Sequence, residues 1–441
     1  MTNSNRSEVD VIINAVEIND KHGVGILLKR IFRDKSRIFS IRSRNLYGGN
    51  CAFGKYDYLL GGIGLSRTEI FDRIKKALIQ HTVKRVLCIP YHSEEILAAL
   101  AVRELFGAEI CTYLMDDQNV LTTSIPDRLM AELLDKSVLR LAISPEMRDV
   151  YTAKYRMPIY FVPPVIPSAL VEYQTLKIEL DPEQTSLGAI FGNIWSPRWL
   201  NLLRVMTRET GYKIDWYGNT GTDWYFRDRS KLSDDGIIER GFLPTEAEVV
   251  DVLYNYAYVV VPSGTLDWRD DNLATSWLSL PSRIPFILAT TNIPIIVLGN
   301  PNTAAARFVI RCGIGTVADY TSESFQAAVT HITKESVQDS MKANAARIAP
   351  QFVNEHMDEW IWQSLVLGKP IDDRFELLLP NSLEYITAFT TCLDIIRQQQ
   401  AEINQLKFRY KLFFSPIEYI KELSHKWLLV RRVWLWLKGQ L

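Results

Sequence analysis

Twice along its 441 residues this chain sets short apolar runs, rich in β-branched residues, against helix-length amphipathic segments. In the first half VDVIINAV leads to HGVGILLKRIF, RVLCIPY to SEEILAALAVRELF, EICTYLM to a later helix, and LRLAIS to PEMRDVYTAKY. Parallel strands cannot be joined by a tight turn, so this alternation predicts a parallel sheet whose crossovers are helices covering its faces. The proline-bearing stretch FVPPVIPSALVEYQTLKIELDP has no clean period and reads as a connection between domains. Beyond it the rhythm resumes, with strands SLGAIFG, KIDWYG, GIIERGF, YAYVVVPS, IPIIVLG and GIGTVAD and helices PRWLNLLRVMTRET, EAEVVDVLYNY, TAAARFVIR and ESFQAAVTHI. Two Rossmann-like α/β domains facing a cleft are expected, with ligands held at the carboxyl ends of both sheets.

Composition narrows the partners. A formal net charge of -1 excludes a strong global attraction to nucleic acid. The five cysteines are odd in number, scattered and without CxxC spacing, so neither a disulfide framework nor a zinc knuckle is encoded, and a reducing cytoplasm fits. No apolar run approaches the roughly 18 residues of a membrane span, and the opening residues lack a signal pattern. No Ser/His/Asp order, HExxH, P-loop or EF-hand pattern occurs.

The segment LGAIFGNIWSPRWLNLLR, 187–204, is an apolar strand that turns at Gly192 and enters a helix near Pro197. A helix N-terminus past a strand end offers free backbone N–H groups, and Arg198 in the first turn adds positive charge, so a phosphate ester or diphosphate is the expected ligand. A solvated helix-start residue is the alternative for Arg198.

The turn resembles the opening of the nucleotide-binding half of family 4 glycosyltransferases, with Gly192 and Arg198 matching and Asn193 standing where the family has Arg. The resemblance to the GT-B glycosyltransferases extends over roughly residues 10 to 345. LAISPEMRDVYTAKYRMPIYFVPPVI looks like the family's exit from its first domain, with Ser144 opening the helix. ERGFLPTEAEVVDVLYNYAYVVVPS matches its passage of Gly241, Pro244, Pro262 and Ser263. LPSRIPFILATTNIPIIV is similar to the Pro-Ser-Lys-Ile stretch of bacterial polysaccharide enzymes, with Arg283 for Lys. The family's Glu pair, which contacts donor sugar and ribose, has no counterpart in SGTLDWRDDNLATSWLSLPSRIPFIL; Asp267, Asp270 or Asp271 stand as replacements for the first.

The resemblance implies transfer of a sugar from a nucleotide sugar to a glycan or lipid-linked acceptor in cell-surface polysaccharide synthesis, retaining and without metal or other cofactor. Negative charge then builds on the leaving β-phosphate, and cations aimed there lower the barrier. Arg198 and Arg283 are the candidates, with Gly192, Asn193, Ser263 and Ser282 around the donor and Phe242 and Leu243 flanking the base, or simply packing in the core. On the first domain the family's glycine-rich loop corresponds to Gly23 and Gly25, whose GxG lacks the rest of a dinucleotide fingerprint. His92, Asp116 and Asp117 end strands at the cleft rim, placed to bind acceptor hydroxyls or move a proton; capping is the alternative for the aspartates.

The expected organisation is an acceptor-side domain over 1–170, a nucleotide-sugar domain over 183–348, a crossover helix returning to the first domain over 349–380, and a helical extension over 381–441. From Ala401 to Leu441 eight Lys/Arg oppose three Asp/Glu, an excess of five, interspersed with Trp427, Trp434 and Trp436. Such a tail suits an anionic membrane surface, which would hold a cytoplasmic enzyme at the inner face of the cell membrane; self-association into a homo-oligomer is the alternative. The missing Glu pair keeps open a second reading, a non-catalytic glycosyltransferase-like module that binds glycan, nucleotide or a partner enzyme.

Overall fold

The computed structural model describes residues 6–48, 53–172, 187–218, 232–376 and Gln405. The chain divides into two compact units, Met1–Asn381 and Ser382–Leu441. The basic, tryptophan-rich tail lies, Gln405 apart, outside the described residues.

The first unit contains two sheets. One is built from β1 (Ser7–Asn14), β2 (Ile38–Arg42), β3 (Tyr56–Leu59), β4 (His81–Cys88), β5 (Glu109–Leu114), β6 (Ser137–Ala142) and β7 (Tyr160–Phe161). Its order is β3-β2-β1-β4-β5-β6-β7, with every pairing parallel. The other has β8 (Leu187–Phe191), β9 (Lys213–Tyr217), β10 (Ile237–Gly241), β11 (Val259–Pro262), β12 (Ile295–Leu298) and β13 (Gly315–Ala318). Its order is β10-β9-β8-β11-β12-β13, again all parallel. Helices on both faces explain the unbroken apolar runs: Val11, Ile12 and Ile13 of β1 and Val259, Val260 and Val261 of β11 are fully buried. Strand succession reverses between β1 and β4 in one sheet and between β8 and β11 in the other, so each sheet has a switch point where its loops part.

All six strands read from the second half of the sequence are present. In the first sheet β2 and β3, IFSIR and YDYL, went unread because their polar side chains pair with each other instead of alternating with apolar ones: Ser40 Oγ donates to Asp57 Oδ1 at 2.8 Å, and Arg42 bonds the same carboxylate. Helix Pro197–Thr210 forms as its sequence dictates, with the Ser196 hydroxyl accepting the Trp199 N–H at 3.0 Å and Trp199, Leu203 and Met206 buried at helical spacing. It ends at Gly211, whose φ of 73° suits glycine.

The polypeptide passes between the sheets twice, and the two passages are stitched together. Ile166 pairs with Val353 in a parallel bridge, and Asn354 accepts the Ser168 N–H at 3.2 Å while its Nδ2 donates to the Arg30 carbonyl at 2.7 Å. Helix Met357–Leu367 then packs on β5 and β6, with Trp362 beside Phe32 and under the Arg85 guanidinium. Among the described residues no helix is long and apolar enough to cross a membrane.

Candidate functional site

A cavity of about 1010 Å³ opens between the two sheets, lined from both switch points. The loop after β1 contributes His22 and Gly23, that after β4 Tyr91 and His92, that after β5 Asp116 and Asp117, that after β8 Gly192, Asn193 and Trp195, and that after β11 Ser263. Phe242 and Leu243 follow β10 onto the wall, and Ser282 and Arg283 open helix Arg283–Thr290. At Gly23 the domains touch: a Cβ there would lie 3.3 Å from Ser282 Oγ.

Arg283 is the group that gives this wall its charge. Its Nη2 donates to the Asn193 carbonyl, and its guanidinium lies against Gly192, where a Cβ would meet Arg283 Cζ at 3.3 Å. Gly192 also has φ of 85°, so both conformation and space require glycine at this turn. Nη1 has no hydrogen-bond partner, and among the described residues no carboxylate pairs with the group. Burial pulls its pKa down to about 10, which leaves it charged at neutral pH. Among the described residues it is thus a cation without a carboxylate beside a helix N-terminus.

Across the cleft, the first-domain wall is held by residues that sequence reading did not single out. His22 precedes helix Gly23–Ile31; its Nδ1 accepts the Gly25 N–H at 3.3 Å and its Nε2 donates to the Glu17 carbonyl at 2.7 Å. Those two bonds fix the neutral tautomer, and burial keeps the ring's pKa low. The ring stacks on Tyr47 with centroids 4.9 Å apart, while the Glu17 carboxylate accepts the Leu46 and Tyr47 amides. Its place just before an amphipathic segment was the available signal for His22 as a cap.

Asp116 ties the walls together. It accepts the Tyr91 hydroxyl at 2.5 Å and, from the second domain, the Ser279 hydroxyl at 3.1 Å; burial raises its pKa. His92 lines the cavity and caps helix Ser93–Phe106, and burial together with nearby Arg44 lowers its pKa. Beneath it Glu95 accepts the His92 N–H at 2.5 Å, the Tyr91 N–H at 3.2 Å and the Ser43 hydroxyl, yet burial pushes its carboxyl from 4.5 to about 7. The folded state therefore holds a proton on Glu95 that the unfolded chain has released between those values, so this group's contribution to stability is lost as pH rises through that window. Urea midpoints followed from pH 5 to pH 7.5 should show a decline that Glu95→Gln flattens. Equal slopes in both proteins would contradict it.

Several expected site residues are placed elsewhere. Arg198 does not line the cavity; its guanidinium grips Asp267 in a fork at 2.6 and 2.8 Å, because that loop comes back over the helix start. Nor do Asp267, Asp270 or Asp271, the suggested replacements for a donor-sugar carboxylate, face the cavity. Asp270 accepts Trp199 Nε1 at 3.2 Å, and Asp271 accepts the Ser196 hydroxyl and the Arg198 N–H, so protein carboxylates already occupy the N-terminus of helix Pro197–Thr210. Gly25 is buried in the helix, where a Cβ would meet the Asn19 carbonyl oxygen at 2.2 Å; its role is packing. Asp117 borders the cavity but spends its carboxylate on four backbone amides, from Asn119 to Thr122, and on the Tyr151 hydroxyl. Phe242 is exposed on the wall rather than packed in the core. Ser263 is buried, its backbone bonded to Leu298 and Tyr320.

No family model and no curated protein matches this sequence. Among solved structures, the fold is similar to Anabaena Alr3699/HepE in complex with UDP, 11% identical, with 81% of this chain and 100% of that one covered at a TM-score of 0.58. Sucrose-phosphate synthase (tll1590) from Thermosynechococcus elongatus is similar at 10% identity, covering 82% and 99%, with a TM-score of 0.58. The lipopolysaccharide outer core galactosyltransferase WaaB in its apo form is similar at 12% identity, covering 82% and 99%, with a TM-score of 0.54. At these identities the likeness is one of architecture. The chain has the GT-B fold, two Rossmann-like domains across a cleft.

Proposed function

We propose that this protein is a glycosyltransferase that moves a sugar from a nucleoside diphosphate sugar to a glycan or lipid-linked acceptor in cell-surface polysaccharide synthesis. Arg283 carries the reading: a cation without a carboxylate partner among the described residues, at the second sheet's switch point, opposite the N-terminus of helix Gly23–Ile31. That a solved protein of similar fold is in complex with UDP supports a nucleotide diphosphate as the anion.

In the reaction the bond from the sugar's anomeric carbon to the β-phosphate oxygen breaks as an acceptor hydroxyl attacks that carbon. Arg283 stabilises the diphosphate charge as it forms, the Ser282 hydroxyl and the amides at Gly23 bind its oxygens, and the exposed ring of Phe242 with Leu243 flanks the base. His92, neutral near pH 7, is the group on the first-domain wall for the acceptor's proton. Retention of configuration and independence from metal belong to this reading, as does a cytoplasmic enzyme held at the membrane face by its basic tail.

Calorimetric titration of the full chain with UDP, ADP and GDP, with and without chelator, tests it. At least one diphosphate should bind with the same affinity in both buffers. Binding that vanishes in chelator and returns with Mg²⁺ would replace the metal-free mechanism, and failure of all three to bind would remove the donor site.

A further inference from the structure

Seven tryptophans fall among the described residues, and five of them, Trp199, Trp216, Trp277, Trp360 and Trp362, are at most 6% exposed. The other two, Trp195 and Trp268, are 47% and 49% exposed and stand on adjoining loops of the second domain. A single half-exposed indole needs no explanation, but two on hydrogen-bonded neighbouring loops make a larger apolar feature of the kind that marks a binding surface.

The scaffold is rigid. Asp267, next to Trp268, forks onto Arg198, three residues from Trp195; Asp271 bonds Ser196, next to Trp195. Asp270 accepts the Leu266 N–H at 3.0 Å and the Asn272 N–H at 3.2 Å, and Leu266 holds the left-handed φ of 55°. The Arg269 guanidinium sits 4.6 Å from the Trp268 ring centroid. Thus the Trp195 ring and the Trp268 ring, one face of which lies under the Arg269 guanidinium, stand beside the carboxylate that Arg198 grips. This combination matches a pyranose, whose C–H face stacks on an aromatic ring while neighbouring hydroxyls bond planar charged groups.

Trp195 lines the cleft and Trp268 lies outside its wall. We infer that these loops form a glycan-binding platform that runs from the cleft rim outward and holds an extended polysaccharide chain, the acceptor or product of the transfer. Resting on the proposed function, the inference adds that the acceptor is a polymer engaged on the nucleotide-side domain.

Native gels containing dextran, yeast mannan, xylan or barley β-glucan test the platform with the full chain. The wild type should be retarded by at least one of these polymers, and Trp268→Ala and Trp195→Ala should each weaken that retardation roughly tenfold, the scale for removing an aromatic anchor. Trp268→Tyr should restore much of it. Both variants should melt with the wild type, since the rings are exposed, and Trp268→Ala should titrate with UDP unchanged, so a failed platform is told apart from a failed donor site. No retardation in any gel, or equal retardation of the variants, overturns the inference. So does pelleting with anionic vesicles that the variants lose while no polymer is bound, which would assign the tryptophans to lipid.

Discussion

Arg283→Ala should weaken binding of UDP, or of whichever nucleoside diphosphate binds, by about 1.5–3 kcal/mol, the range for a hydrogen bond to a charged group. That is roughly a ten- to 150-fold loss of affinity. The fold should scarcely notice, because among the described residues the guanidinium has no carboxylate to strand: it packs on Gly192 and donates to the Asn193 carbonyl. Arg283→Met should melt at or above the wild-type temperature, since a cation held partly out of water costs folding energy when, as among the described residues, no counter-charge meets it. Arg283→Lys should recover part of the affinity, as a point charge replaces a fork. A variant that unfolds, or one that binds the nucleotide as the wild type does, would show that the charge serves the fold instead.

The second large effect belongs to the ion pair that closes the cleft. Arg30, on the last turn of helix Gly23–Ile31, donates through Nε at 2.9 Å and through Nη2 to Glu246, at the start of helix Glu246–Leu253 in the other domain. Its Nη1 donates to the Val165 carbonyl at 2.9 Å, and its guanidinium lies 5.3 Å from the Phe286 ring centroid. The Arg30 side chain is 8% exposed and that of Glu246 31%, so the two deletions are unequal. Glu246→Ala strands a buried cation and should cost about 2–3 kcal/mol, below the full cost of breaking a wholly buried pair. Arg30→Met leaves a carboxylate that water can reach, and should cost less. Replacing both, with Glu246→Leu beside Arg30→Met, should recover most of the loss. Urea denaturation of the four proteins checks the order, and a Glu246→Ala midpoint above that of Arg30→Met would refute it.

How far the sequence could be read depended on the range of the interactions involved. The six strands of the second sheet and helix Pro197–Thr210 were legible because a buried parallel strand and a capped amphipathic helix are written in neighbouring residues. Arg283 was legible as a charge following a Pro-Ser turn, though nothing local announced that no carboxylate among the described residues pairs with it. Arg198 looked equally apt, but the structure turns it onto Asp267, which lies 69 positions away and arrives only through the fold. For Asp117 the capping alternative describes what is seen: its carboxylate accepts amides two to five residues on. Arg30 and Glu246 act through a contact between domains, and sequence spacing carries no trace of it, whereas His22 caps its own helix from a place the sequence does signal.

The passage of helix Met357–Leu367 back onto the first sheet has a consequence for how the protein is made. Trp360 is buried there, Arg148 pairs with Glu376, and the Phe161 N–H is bonded by the same carboxylate at 2.8 Å. The domain that leaves the ribosome first is therefore closed by residues that leave it nearly 200 positions later. At roughly 5–20 residues per second, its last apolar face waits on the order of ten seconds or more, while the second domain is synthesised, before its own cover exists. Birth order and completion order are reversed in this chain, and its first half depends on whatever shields that face in the interval.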